Sequence, residues 1–540
     1  MIFRFMLCML CVDSFDDDAC VCVVVGRNPE SSFRESDYIT TTTKLTHNFI
    51  CFRSLSSKKT ERKNSSSNMI FFFFSLCLSS FRLTALKTQK KQLKVKKTPK
   101  LLSPPLKGTK VKMFFLDSKW IEARKSDVKT TFGWWLKWKR ENDDVPRDLW
   151  RVRDAFYDFE RFEHPGGNTW MKITKGTDVT ELFESSHLNV EKAEKYLKTY
   201  RISKRKPDKP RASPMTFKEK GFYWTLRRNA HKTLVRAGGW GPTVSIRIMS
   251  DLLVLLFITC FAMCIHSERS YMWAVLSGIT LSHCCGMAHN FFHQRDNWRM
   301  YAFDLSLLSS FEWRVSHCYS HHCYPNQIKD AEVIGLEPFF VFIPDREQQK
   351  RGGVASRFRL IVTILFANVL NAMIFHSMLL YRFVEVFLFR RQKLRMENFI
   401  PFVQLVVLLY TCENGILIWN IIHASASWWF ITMSLIGGTH HHPDVWHDGG
   451  EERVKDFDFG ICQLRAVIDR PDVNSTLFTS STMFGDHALH HLFPTVDASR
   501  LHLLRDVLEK TCADFGMDVS VHKTASFWEC CKGFYRNLLM

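Results

Sequence analysis

GDHALHHLFP, residues 485–494, crowds His487, His490 and His491 into five positions, just past a long apolar region. On a helix, positions i, i+3 and i+4 share one face. A buried imidazole without a partner is costly, so a face carrying several of them calls for something they share. Working back along the chain, HNFFH (289–293) sets His289 and His293 at i, i+4. SHCYSHH (316–322) carries His317, His321 and His322, and THHHPDVWH (439–447) carries His440, His441, His442 and His447. One such cluster is plausible by accident; four in one region are not.

The apolar runs place these clusters. Residues 245–265 and 271–292 each match one bilayer crossing of about 20 residues. The turn SERS joins them into a hairpin with both ends on one side. Residues 359–381 form another crossing. Residues 399–437 hold one or two, broken at Glu413-Asn414-Gly415. Even parity after residue 345 predicts two further crossings, with 399–412 bent, re-entrant or interfacial. Arg390, Arg391, Lys393 and Arg395 then fall on the far side, against the positive-inside tendency. Parity brings all four histidine clusters to one membrane face. Neutral imidazoles there suit late first-row metal ions, iron included.

Of the 540 residues, 46% are hydrophobic, and the net charge is +20. Much of that charge lies in residues 85–140 and 200–237, outside the apolar runs, which fits a negative cytoplasmic leaflet. No zinc-finger spacing or single-strand-binding module occurs, so nucleic acid is not an expected partner. Seventeen cysteines are scattered, with adjacent pairs at Cys284/Cys285 and Cys530/Cys531. They read as reduced thiols rather than a disulfide framework. Residues 1–112 mix Cys-rich apolar pieces, Ser/Thr runs and a Lys-rich stretch, and read as a disordered extension, with Met113 as an alternative start.

Residues 143–202 read as a small soluble domain, followed by a basic linker over 203–240 that opens with KRKPDKPRASP. HPGG at 164–167 forces a tight turn that leaves His164 projecting. His187 follows after GTDVTELFESSH. Two neutral imidazoles facing each other across an apolar slot can fill both axial positions of a haem iron. FYDFERFEHPGG with GTDVTELFESSH resembles a cytochrome b5 domain. The resemblance implies haem b on His164 and His187, with Trp170, Leu182, Phe183 and Leu188 lining the pocket.

The histidine clusters resemble the three boxes of the membrane fatty-acid desaturase and hydroxylase superfamily, HxxxH, HxxHH and [H/Q]xxHH. HHLFPTVDASRLHLL and DFGICQLRAVIDR are similar to the stretches flanking its third box. The resemblance implies two non-haem iron ions on His289, His293, His317, His321, His322, His441, His487, His490 and His491. His441 best matches a further ligand, with His440 or His442 as alternatives. The second box here reads HxxxHH, one residue longer than usual. At α-helical spacing His317 and His322 would lie about 140° apart, so His317 either coordinates from a distorted turn or stands outside the set. Asp296, Asn326, Asp330 and Asp486 are candidates to orient imidazole N–H groups, or are ordinary caps.

The order of domains is similar to the front-end desaturases. It is closer to the insect cytochrome b5-related proteins, given EWRVSH, HHHPDVWHDGG and GDHALHH. The expected fold is an α-helical multi-pass membrane domain over 241–515, with about four transmembrane helices, behind a small α+β cytochrome b5-like haem domain. Residues 516–540 are a tail. The implied function is an O2-dependent fatty acyl desaturase at the endoplasmic reticulum, with haem domain and histidine boxes facing the cytosol. NADH-cytochrome b5 reductase would supply electrons, and an acyl lipid or acyl-CoA would be the substrate, threaded between the crossings past Phe291, Phe292, Trp428, Trp429 and Phe430. A hydroxylase on the same scaffold, or a non-catalytic haem electron carrier, are the alternatives.

Overall fold

The computed structural model describes residues 133–335, 353–436, 439–448, 457–517 and 522–539. The expected N-terminal extension lies outside them. The haem portion begins with the Trp-rich helix Gly133–Asn142. Strands Trp150–Val152 and Ala155–Tyr157 then pair antiparallel, turning through Arg153 at φ 55°. Helices Asn168–Thr174, Thr180–Ser186 and Val190–Tyr200 follow. Trp134, Trp135, Trp138, Trp150 and Phe159 form the core, which is continuous with Val315, Tyr319, Cys323 and Tyr324 of the second histidine segment. The two portions thus share one apolar interior.

Among the described residues, three helical segments are long and apolar enough to cross a membrane: Val244–His266, Phe366–Leu388 and Gly415–Ser434. Val244–His266 is capped by Thr243, whose hydroxyl accepts from the Ile246 N–H. It turns Leu252, Leu255, Leu256 and Ile258 outward, an apolar face of the kind lipid covers. Helix Ser270–Phe292 is equally long but carries Ser277, Ser282, His283, His289 and Asn290. It packs along Gly415–Ile431 at Gly278, where a Cβ would come within 2.5 Å of the Ile422 carbonyl, a close approach only a small residue permits.

The region after 381 differs from expectation. Helix Ile400–Thr411 starts beside the second histidine segment, with Asn398 Nδ2 donating to Ser309 Oγ at 3.4 Å. It ends at the opposite pole, where Cys412 Sγ is 3.8 Å from the Cys264 carbonyl. It therefore runs the length of the bundle rather than lying across its surface. The basic loop stays at the histidine end: Arg395 stacks over Phe311 at 4.4 Å, and Arg391 pairs with Glu385 at 3.3 Å. The charge conflict disappears because the chain returns to the histidine end before it descends.

Candidate metal and haem sites

The histidine clusters converge. Helix Ser270–Phe292 ends at the first pair, and the helix His487–Leu492 presents the last triplet. Between them, Arg314–His321 is a π-helix, whose wider turn absorbs one extra residue. The His322 N–H donates to the His317 carbonyl at 2.9 Å, so the two rings share a face instead of splaying apart. One group comprises His289, His293, His317, His322 and His490, and a second comprises His321, His440 and His491. His487 joins the second group, with its Nε2 3.3 Å from that of His440.

The rings are held by their outer nitrogens. Nδ1 of His321 meets Asp330 at 2.8 Å, and that of His317 meets Glu332 at 3.1 Å. Nδ1 of His440 meets the Ala466 carbonyl at 2.9 Å. These partners can only accept, so Nδ1 carries the proton and Nε2 presents a bare lone pair. His491 is oriented by Gln463 Oε1 at 3.0 Å and His487 by Thr439 Oγ1 at 2.6 Å. Inside, Nε2 of His289 is 2.7 Å from that of His317, and Nε2 of His321 is 3.1 Å from that of His440. Between His321 and His440, whose Nδ1 atoms carry the protons, opposed lone pairs at such a distance repel unless a cation lies between them. Spacings of about 3 Å suit neighbouring ligands each about 2.1 Å from one ion. The outer carboxylates complete the pattern usual behind metal-bound imidazoles.

Electrostatics agree. Burial, then the neighbouring His317 and His321, push the His490 imidazole down to about 3. Burial and the surrounding rings also hold His322, His440, His487 and His491 well below the usual range. His321 is the exception. Burial lowers it, but Asp330 and Glu332 outweigh that and raise it, and the same carboxylate charge favours a metal ion in place of the proton. These neutral donors fit iron.

His440, not His441, enters the cluster. The His441 ring lies 6.4 Å from that of His440 and packs 6.2 Å from Phe534. Asp330 orients a ring as considered. Asp486 instead pairs with Arg505 at 2.6 Å, and Asn326 Nδ2 donates to the carbonyls of His440, Trp446 and Ala466. Glu332, Gln463 and Thr439 carried no recognisable sequence signal, because each meets its ring across a fold contact or in irregular chain.

A cavity of about 130 Å3 opens on the cluster beside His317, His321, His440, His441 and His487. Its apolar walls include Trp313, Phe375, Met378, Phe430, Ile431 and Phe484. Of the five aromatics considered earlier, Phe430 alone lines it. Phe291 and Phe292 are in the core beneath, Trp428 bonds Asn368 at 3.0 Å, and Trp429 packs near His283.

In the haem portion, the rings of His164 and His187 face each other with centroids 5.9 Å apart. This leaves room for one metal atom between two bonds of about 2 Å. The His187 Nδ1 meets the Phe183 carbonyl at 2.8 Å, which turns its Nε2 lone pair into the slot. Gly166 N–H holds His164 Nδ1 at 3.0 Å. Burial, then His187, push His164 down to about 4 against the pull of Asp296, and burial lowers His187 as well, so both rings are neutral. His187 already aims a lone pair into the slot, whereas His164, accepting from Gly166, would shift its proton off Nε2 to bind haem iron. Phe183 packs at a tilt beside His187, ring centroids 4.6 Å apart.

Residues 269–522 match the fatty acid desaturase family, and residues 136–206 match the cytochrome b5-like haem/steroid binding domain. The chain is 35% identical over 406 residues to the cytochrome b5-related protein of Drosophila melanogaster, covering 74% of this chain and 89% of that relative. It is 23% identical over 435 residues to acyl-lipid (8-3)-desaturase B of Dictyostelium discoideum, covering 71% of this chain and 89% of that one. No solved structure matches it. With this geometry and this coverage, the chain belongs to the cytochrome b5-related proteins, in which a cytochrome b5 domain is joined to a fatty acid desaturase domain.

Proposed function

We propose that the protein is a membrane oxidoreductase that desaturates fatty acyl chains with O2, receiving electrons through its own haem domain. The carrying observation is the convergence of imidazole nitrogens from four distant segments on one centre, five of the rings fixed from behind. In this reading His289, His293, His317, His322 and His490 hold one iron ion, and His321, His440, His487 and His491 hold a second. His164 and His187 hold haem b. Iron bound there supplies O2 activation, which no side chain could replace in attacking an unactivated C–H bond. The protein's own part is to fix the rings, keep them unprotonated and seat the acyl chain against Phe375, Met378 and Phe430. Trp313 stacks on His317 at 5.1 Å and helps close the site from water.

The histidines and haem domain face the cytosol at the endoplasmic reticulum. NADH-cytochrome b5 reductase is the electron source, and an acyl lipid or acyl-CoA is the substrate. The test is expression in a cell lacking its own desaturases. Lipid mass spectrometry should show new double bonds that vanish with His490→Ala, and metal analysis should find about two iron ions beyond haem iron. Unchanged lipids, or no non-haem iron, would overturn the reading.

A further inference from the structure

The haem portion is held to the linker by buried ion pairs and to the membrane portion by buried hydrogen bonds. Arg211 bridges Asp178 at 2.9 Å and also Glu181, while Arg227 holds Glu184 at 2.8 Å. Tyr324 donates to Glu181 at 3.2 Å, and Tyr319 donates to the Asp178 carbonyl at 3.1 Å. Separating such partners would strand charges away from water, which is strongly unfavourable. The clamp sets both haem-ligand loops against the segments that bear the metal-binding histidines. The Asp296 N–H, three residues past His293, donates to the Gly166 carbonyl at 3.2 Å, two residues past His164. The Thr495 hydroxyl, four residues past His491, donates at 3.0 Å to the carbonyl of Ser186, which precedes His187. Arg314, three residues ahead of His317, secures the first contact. Its buried guanidinium pairs with Asp296 at 2.6 Å and lies over Trp170 at 5.1 Å.

Resting on the function proposed above, we infer that the haem domain stays docked and that Gly166–Asp296 and Ser186–Thr495 are the two bridges by which electrons reach the histidine cluster. Each haem ligand thereby connects to a metal-binding histidine through one hydrogen bond and the short backbone stretches on either side of it. Per transfer, ferrous haem is oxidised to ferric and one ferric ion of the cluster is reduced to ferrous. One electron moves and no bond forms or breaks. Two transfers reduce both ions, with haem re-reduced between them by the flavoprotein reductase, or by dithionite in the test. Asp296 and Thr495 are positioning residues, since neither touches a reacting atom.

The experiment uses the full chain in nanodiscs, loaded with haem and iron. The haem is reduced anaerobically with dithionite, the protein is mixed with O2, and haem reoxidation is followed by absorbance. Thr495→Val, which removes a hydroxyl at nearly constant volume, should slow reoxidation several-fold while haem potential and iron content stay unchanged. Asp296→Ala keeps the backbone N–H that donates to Gly166 and removes only the carboxylate that Arg314 holds, so it should slow reoxidation less than Thr495→Val, and the double variant should be slower than either. The Thr495 variant is therefore the decisive one. Independently of any metal, the Asp296 amide should exchange slowly with deuterium. Iron present with unaltered reoxidation in Thr495→Val, or a rapidly exchanging Asp296 amide, overturns the inference alone. Absence of non-haem iron overturns both it and the functional reading.

Discussion

The His322 N–H and the His317 carbonyl, five residues apart, are joined by a 2.9 Å hydrogen bond. This bond makes the second histidine box usable despite its extra residue. Deleting Cys318 would leave His-Tyr-Ser-His-His, the usual spacing, and let the π-turn relax to α with the flanking register preserved. The deletion variant should keep its non-haem iron, whereas His317→Ala should lose much of it. Metal analysis of the purified variants decides; an iron-free deletion variant would show that the wide turn itself shapes the site.

Adjacent histidines in the third cluster have different fates. His440→Ala removes a nitrogen 3.1 Å from His321 Nε2 and should deplete non-haem iron. His441→Ala should leave iron in place. Equal depletion in both, measured side by side, would contradict the geometry.

Glu332 contacts His317 and lies 3.9 Å from His321, one ring from each metal group. Glu332→Gln removes the charge but keeps an acceptor. Loss of an outer partner of this type weakens metal affinity about 10–100-fold, and the conservative change should fall near the lower end. Iron retention during graded chelation measures it; haem absorbance should not move.

Arg382 and Glu312 form a buried two-pronged pair, at 2.6 and 2.9 Å. Arg382→Ala should destabilise the fold by about 3–5 kcal/mol, because the carboxylate is left buried alone. Replacing both with leucine should recover much of that loss. Thermal unfolding in detergent reads both; a double variant no better than the single would mean the site requires charge.

His522 docks the C-terminal segment to Asp469 at 2.8 Å. Burial lowers its imidazole, but the hydrogen bond and charge of Asp469 outweigh that and raise it. Its contribution to stability is therefore full below the ordinary value of about 6.5 and is lost as pH rises through the raised value. The Ala525 amide, bonded to the Asp469 carbonyl at 2.9 Å, should exchange disproportionately faster across that alkaline window. In His522→Gln that extra pH dependence should disappear.

The sequence carried the parts of this site that recur at short spacing. His289 and His293 fall at i, i+4, and His487, His490 and His491 at i, i+3, i+4, so each set was visible as one face of a helix. HPGG and the spaced His187 were similarly legible, as was the hairpin of Val244–His266 with Ser270–Phe292. The π-turn was not, because one added residue leaves no periodic trace. His440 and His441 could not be separated, since neighbours in irregular chain carry no face. Gln463 and Thr439 orient rings 28 and 48 residues away, and such pairings exist only after folding. The course of Ile400–Thr411 was hidden for another reason: at 12 residues it is shorter than a standard crossing.

Trp170 belongs by sequence to the haem portion, yet its side chain joins the apolar cluster of Phe291, Phe292 and Phe303 in the membrane portion. Translation emits Trp170 before any of those phenylalanines, and N-terminal units tend to fold first. Packing of the later helices is thus completed against a surface contributed by the portion made earlier at the ribosome.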